Sequence, residues 1–501
     1  MDETKDQAKK EQLSIIFRYF DGEVIQERCC GTYHMQKLDA QSLANFILKK
    51  IEELGLDLSD CIAQCYDGAS VMSGWATGVQ ARIAEKIPHA FYVHCHAHRL
   101  NLVLINCVKN LEDYADFFST IQTLYTFISN SNTRHELFVK SQKELGQEVL
   151  ELERTVTTRW FYWYRSIHKT RIRYEAILAV LTSLSDSSNE SSVEAAGLKS
   201  KLESWRFIVC LFISEKLFMQ TNCLSEQLQE GGISIVRAVD LITTTKANLV
   251  KMRSDSEYNK LYDEANEFAR KLGVDVPEVN TGKVGSACSK RVQQISNKLK
   301  DYLSNSTLGK RTEQLECATK VSLKQQLKSQ LYFPLIDRCN AEYDRRFSNN
   351  INLFQSLSTF DVHSEQFFDE EKFTMFSKHY STHIDSVILV SQVHSARALL
   401  KQKKPDDLFD VYSILNILPT AFSEILSILR ILLTIPVTTA GNERFFSVLK
   451  RVKNYLRTRT GDDRLCSLML MATEKKMVKS FDLEELVDDF AHLKPRRYPL
   501  L

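Results

Sequence analysis

Four short segments of this chain gather residue types that do chemistry. The first is Tyr66-Asp67-Gly68-Ala69-Ser70, where a carboxylate stands at the carboxyl end of a predicted buried strand, among small residues. Such an Asp can ligate a hard cation like Mg²⁺, which takes oxygen donors and keeps waters at its remaining positions. The same pattern also describes a turn Asp that caps the next helix. The second segment, Val93 to Leu102 (VHCHAHRLNL), packs three histidines and a cysteine into five positions. That density suggests zinc. Neighbours on an extended chain point to opposite faces, however, and no second Cys/His cluster supplies the missing ligands, so packing and hydrogen bonding around a site is the expected use.

The third segment, Thr157-Thr158-Arg159-Trp160, sets a cation beside a large aromatic, ahead of a basic helical stretch from Tyr162 to Arg173. Arg and Trp can grip a phosphate and stack on an exposed base; a helix start with a buried Trp gives the same letters. The fourth is Pro436 to Arg459 (PVTTAGNERFFSVLKRVKNYLRTR), predicted as a helix from near Thr439. Phe445, Phe446, Leu449, Val452 and Leu456 form its apolar stripe, and Glu443 lies in its first turn, where a helix dipole favours an acid. Arg444, Lys450, Arg451, Lys453, Arg457 and Arg459 cover the opposite face and tail, an arrangement suited to a phosphate backbone.

The elements that must position these segments change character along the chain. Leu13 to Phe20 (LSIIFRYF) and Arg28 to Met35 (RCCGTYHM) read as a hairpin opened by Asp21-Gly22. Ala40 to Leu54 reads as a helix with Leu43, Phe46, Ile47, Ile51 and Leu54 on one face, stopped by Gly55. A strand at Ile62 to Tyr66, a helix from about Gly78 to Lys86 and a strand at Ala90 to His94 follow, an α/β order that predicts a mixed sheet. From about Leu100 to Leu433 the chain is long amphipathic stretches such as Asp113 to Ser129 and Trp205 to Leu228, broken by polar segments at Ser183 to Ser192, Gly231-Gly232 and Gly273 to Lys290.

Composition bounds what these segments belong to. A chain of 501 residues with 44% hydrophobic and 26% charged content can bury a large core, divided between two or three domains. A net charge of +2 means that any nucleic-acid contact must come from local basic patches. No uninterrupted apolar run nears the roughly 18 residues of a membrane span, and Met1 to Gln12 is charged, so a soluble intracellular chain is expected. Twelve cysteines without a CxxC pair argue against a disulfide framework or a zinc ribbon. A metabolic enzyme finds no support, because the sequence has no phosphate loop, nucleophile elbow or dinucleotide fingerprint.

The four segments, in this order, resemble hAT-superfamily transposases, in particular the group related to zinc finger MYM-type and kinase-inhibitor-repressor proteins. The resemblance covers nearly the whole chain. It rests on Asp2-Glu3-Thr4-Lys5-Asp6 against a family DETTD, Tyr66 to Gly74 against YDGASNMSG, Cys95 to Leu102 against CxAHxLNL, Arg159-Trp160 against RW, and Thr439 to Ser447 against SAGNERFFS. It implies an α/β core with a large all-α part, an RNase H-like mixed sheet interrupted by a long helical insertion. On this reading residues 1–108 are the first part of the core, with its first strand missing ahead of Asp2. Residues 109–405 are the helical insertion, 406–488 carry the catalytic helix and the hAT dimerisation region, and 489–501 form a tail.

The resemblance also implies roles. Asp2, Asp67 and Glu443 would be the catalytic carboxylates and the ligands of Mg²⁺ or Mn²⁺, converging so that paired metals activate the attacking oxygen and stabilise the leaving one. Cys95 and His98 would be structural residues near the site. Arg159, Trp160, Arg444, Lys450, Arg451, Lys453 and Arg457 would contact DNA, and no structural zinc is expected. Partners would be a second copy of the chain and DNA, with no membrane, in the nucleus. Two functions follow as expectations: a domesticated or decayed transposase acting as a dimerising DNA and protein interaction scaffold, or an active metal-dependent transposase cutting and joining DNA. The apolar excess of Ile414 to Leu433, more than one helix face buries, supports self-association.

Overall fold

The computed structural model describes residues 1–109, 111–154, 161–187, 191–277, 322–347, 357–380 and 383–493. It is a mixed α/β molecule with a large helical part. Strands β1 (Asp2–Lys5), β2 (Glu11–Phe20) and β3 (Ile25–His34) form an antiparallel sheet in the order β1-β2-β3. Strands β4 (Ala63–Tyr66) and β5 (Phe91–His94) form a parallel pair.

The hairpin expected from Leu13 to Met35 is β2 and β3. Its turn is clamped by Asp21, whose Oδ1 accepts from the backbone N–H groups of Glu23 and Val24, while Gly22 takes φ +106°. One residue of β3, Cys30, is left over where the register steps from Ile15↔Gly31 to Ile16↔Cys29. This is a bulge, and it places Gly31 at φ +137° with Cys466 packed against it. A Cβ on Gly31 would lie 2.5 Å from the Cys466 sulfur.

Asp2 itself opens β1, which pairs with β2 from Asp2↔Ser14 to Lys5↔Glu11. The segment DETK has no strand-like alternation. Its extended form comes from the ladder with β2 and from Asp6, which closes the connection by accepting from the backbone N–H groups of Ala8 and Lys10.

Helix α1 (Ala40–Glu53) is capped by Asp39, which accepts from the Ser42 N–H, and buries Leu43, Ala44, Ile47 and Ile51. With α3 (Val79–Lys86) it covers one face of the strands, meeting Leu13 and Ile15 from β2 and Val79 and Ile83 from α3. Alternation along β2 turns Ser14 and Ile16 to the other face. There the Ala440–Val452 helix docks through Phe445, Phe446 and Leu449, and Ile16 packs with them.

Most of the described chain from Glu112 to Thr434 is helical. The longest helix among the described residues, Trp205–Gln229, passes for a membrane span by length and mean composition, but Arg206, Glu215 and Lys216 interrupt its apolar run and two thirds (67%) of its most apolar window is buried inside the protein. It is the central core helix, with Ile208, Leu211, Leu217 and Phe218 fully buried. The Phe333–Phe347 helix packs along α4 (His96–Val108), where Asn106 donates to Glu342 at 3.2 Å.

Candidate carboxylate site

Asp2, Asp67 and Glu443 come from three elements separated by up to 441 positions in the chain, and the backbone brings them to one place. Met1 N donates to the Cys65 carbonyl at 3.2 Å, so the start of β1 lies alongside the end of β4, and Asp67 follows Tyr66 directly. Across β2, Ser14 faces Asp2 in register, and its hydroxyl donates to the Asn442 Oδ1 at 2.5 Å, which sets the neighbouring Glu443 over the end of β1. Gly441 fits this seam because Ile16 and Glu27 approach it closely; a Cβ there would lie 3.1 Å from Ile16 Cδ1.

The carboxylates feel one another. Burial is the main cause that pushes the Asp2 carboxyl up to about 7, and the charges of Asp67 and Glu443 add to it, against the Glu3 backbone N–H and the N-terminal ammonium. Asp67 Oδ1 accepts from the Ala69 N–H at 3.1 Å, closing a tight turn; the short helix Ser70–Ser73 that follows has Ala69 as its N-cap and no side-chain cap, so the helix-capping role read from the sequence is not seen. Three carboxylates offer the hard oxygen donors that Mg²⁺ or Mn²⁺ takes. Among the described residues no three His, Cys, Asp or Glu side chains already stand as a closed metal cage. The three carboxylates form a loose acidic cluster, not a set of ligands already placed to hold a metal ion.

The histidine and cysteine segment builds the frame around this cluster. Cys95 is buried at the end of β5; its backbone N–H donates to the Tyr66 carbonyl, and its sulfur accepts from the Thr439 N–H at 3.2 Å. His96 is buried and contacts the Val437 carbonyl through both its backbone N–H and its Nδ1. Together they tie the β5–α4 corner to the chain entering the Glu443 helix. His98 stacks on His94, with ring centroids 5.7 Å apart, and faces the charges of Asp67 and Glu443; burial nonetheless lowers its pKa from the ordinary histidine value. His94 is pushed down to about 3 by burial and by Arg99, so both rings stay neutral at pH 7. Gly68 is needed here because a Cβ would sit 2.5 Å from the His94 ring.

Two arginines join this frame without having stood out in the sequence. Arg99 is buried on α4, with Nη1 unpartnered, and Arg346 on the Phe333–Phe347 helix lies near His94, His98 and Arg99 while pairing with Glu342 at 3.2 Å. Arg346 was hidden because its place depends on the insertion folding back onto α4.

The basic set divides. Lys450, Arg451 and Arg457 are exposed. Arg444 is held by the Gln229 carbonyl and by Glu27 at 3.1 Å, which ties the Glu443 helix to the end of the central helix. Lys453, expected on a DNA-facing surface, is buried: its ammonium and the Asp6 carboxylate form a 2.7 Å ion pair with both side chains fully enclosed. The helix ends at Val452, and the turn points Lys453 inward. The same break leaves Leu456, expected in the apolar stripe, exposed. Burial raises the Asp6 carboxyl, but hydrogen bonds from Lys453, the Lys10 N–H and Gln12 outweigh it and hold it below the usual carboxylate value. Arg159 and Trp160 lie outside the described residues.

Comparison with known proteins agrees with this layout. Residues 1–78 match the family described as ZMYM1/FAM200, RNase-like domain, and residues 390–477 match the hAT family C-terminal dimerisation region. The second of these matches is to a region of hAT-transposase type. It is 23% identical over 531 residues to the 52 kDa repressor of the inhibitor of the protein kinase of Homo sapiens, and 23% identical over 529 residues to its Mus musculus counterpart. Each alignment covers 98% of this chain and 63% of the relative, so the chain spans under two thirds of the length of the curated relatives it matches. The hAT dimerisation match supports self-association of this hAT-derived chain.

Proposed function

We propose that this chain is a domesticated or decayed hAT transposase derivative that self-associates and acts in the nucleus as a scaffold for DNA and protein. The observation that carries this reading is the end of the chain. The Leu483–His492 helix is amphipathic, yet buries none of its residues, and it follows directly on the matched dimerisation region. Leu483, Leu486 and Val487 stand exposed on it, an apolar face that a second copy would cover. Exposed Lys450, Arg451 and Arg457 supply a local basic surface for a phosphate backbone. The printed name of the relatives, a repressor, is in keeping with a regulatory rather than a metabolic role. Light scattering on the purified chain at micromolar concentration is expected to show a dimer or larger; a monomer overturns the reading.

The carboxylate cluster favours a second reading, a Mg²⁺-dependent transposase. Asp2, Asp67 and Glu443 would hold the cation, which would supply charge neutralisation at a transferring phosphoryl group. The chain's own residues would hold the frame: Cys95 and His96 fix the Glu443 helix, and the neutral rings of His94 and His98 wall the site. Mg²⁺-dependent nicking of DNA that disappears in Asp67→Ala and Glu443→Ala would establish this reading; no nicking at any Mg²⁺ or Mn²⁺ concentration would remove it.

A further inference from the structure

Arg99 is a buried cation with no anion opposite it. The residue is 7% exposed, its Nη1 is enclosed without a partner, and its guanidinium makes no ion pair or hydrogen bond among the described residues. The ionisable groups that act on it most strongly are Tyr92, Cys65, Cys95 and Arg346, of which none is a carboxylate and the last is a second cation. Arg99 also closes the first turn of α4, the end of a helix that disfavours positive charge. Enclosing a cation without a counter-charge is costly, and an apolar residue of similar size would fill the space without that penalty. Stability gives no reason for an arginine at this position, whereas a bound anion does.

The neighbouring helix brings a second guanidinium to the same place. Asn106 meets Glu342, the Lys109 carbonyl accepts from Arg338 at 2.7 Å, and His96 meets Phe347 with ring centroids 5.9 Å apart, so α4 and the Phe333–Phe347 helix run antiparallel. That register carries Arg346 to the turn of α4 that holds His98 and Arg99. Arg345 and Arg346 both lean on one Glu342 oxygen, at 2.6 and 3.2 Å, which Asn106 also reaches. Arg346 gives its Nε to that pair. One carboxylate therefore answers two arginines and leaves Arg99 unanswered, a local excess of positive charge where the two helices meet.

Guanidinium groups match the oxygens of a phosphate, which they grip through parallel N–H groups. His98 feels the charge of Arg346 as well as those of Asp67 and Glu443, so the two arginines stand next to the carboxylate cluster. A strand bound at the carboxylates would carry further phosphates past them. We propose that Arg99 and Arg346 clamp a phosphate of a nucleic-acid strand beside the carboxylate cluster. The source of that phosphate rests on the transposase reading; the clamp itself rests on the two arginines.

The test uses the full chain without divalent metal, so that no cutting is required, and a short fluorescently labelled DNA single strand read by anisotropy. Saturable binding is expected, weakened about tenfold by Arg99→Met or Arg346→Gln and about threefold by Arg99→Lys, which keeps the charge but loses the fork. The slope of affinity against salt should fall by about one phosphate contact in the first two variants. Without ligand, Arg99→Met is expected to raise Tm, because it removes an unpaired buried charge, where a structural arginine would lower it. Inorganic phosphate should raise the Tm of the parent chain and leave that of Arg99→Met unchanged. A lower Tm for Arg99→Met, or strand binding that neither Arg99→Met nor Arg346→Gln weakens, would overturn the proposal, whatever inorganic phosphate does. Arginine-dependent binding by a chain that never nicks DNA would remove the transposase reading and keep the clamp; nicking and binding that both survive the two substitutions would do the reverse.

Discussion

Two stretches of the last hundred residues, close together in the chain, are finished in opposite ways. From Val437 to Lys453 the chain is sewn into the first hundred residues by polar bonds of long reach: Cys95 to Thr439, Ser14 to Asn442, Glu27 to Arg444 and Asp6 to Lys453. From Leu483 to His492 an equally well-formed helix buries nothing. The first stretch is completed inside one molecule, and the second leaves Leu483, Leu486 and Val487 exposed. Amphipathicity alone does not tell them apart; what differs is whether buried polar groups anchor the helix to something specific.

The largest effect that would sharpen this contrast is expected from the enclosed ion pair. Lys453→Met leaves the Asp6 carboxylate buried without its cation and is expected to cost about 3–5 kcal/mol, measured by denaturant unfolding, whereas pairing it with Asp6→Leu should recover much of that loss. The pH dependence follows from the lowered Asp6 pKa: its contribution is present above the carboxyl value of the unfolded chain and is lost as pH falls through the lower folded value. The Lys453→Met chain should lack that part of the acid transition. Next in size, Gly31→Ala would force a methyl against Cys466 at a left-handed backbone position, with an expected cost of about 1–3 kcal/mol seen as a lower Tm.

At the carboxylate cluster the sign reverses. Because the Asp2 carboxyl is raised to about 7, its cost to the metal-free chain is absent below the unfolded carboxyl value, grows as pH rises and is complete above about 7. Asp2→Asn is therefore expected to stabilise the metal-free chain by about 1 kcal/mol at pH 8, to change nothing at pH 3.5, and to remove any rise in Tm on adding Mg²⁺. The smallest effect on stability belongs to the open helix: Leu483→Ser with Leu486→Ser should move unfolding by less than about 0.5 kcal/mol while shifting light scattering toward monomer. If that pair destabilised the chain as Lys453→Met does, the contrast between the two stretches would be wrong.

Local signals were legible in the sequence, and long-range ones were not. The hairpin, α1, β4 and β5 were readable because alternation, helical apolar spacing and Gly55 each act within a few residues. Strand β1 was not, since DETK carries no pattern and its form comes from Glu11 to Ser14 across the ladder. Phe445, Phe446 and Leu449 were placed correctly on the apolar face, but one basic residue looks like another in sequence, and only the turn after Val452 sends Lys453 inward and Leu456 outward. The frame role of Cys95 was legible as a tendency; that its sulfur would hold the Thr439 N–H, 344 positions away, was not.

The Lys453–Asp6 pair, 447 positions apart, also sets a schedule for synthesis. At about 5–20 residues per second, roughly 20–70 s separate emergence of β5 from emergence of the helix that seals the other face of the sheet. Throughout that interval Ser14 and Ile16 present an uncovered strand face to solvent, while the helices between β5 and residue 440 fold beside it. The chain is thus committed to a late closing step. Its yield in a cell should depend on whatever shields that face until residue 453 arrives.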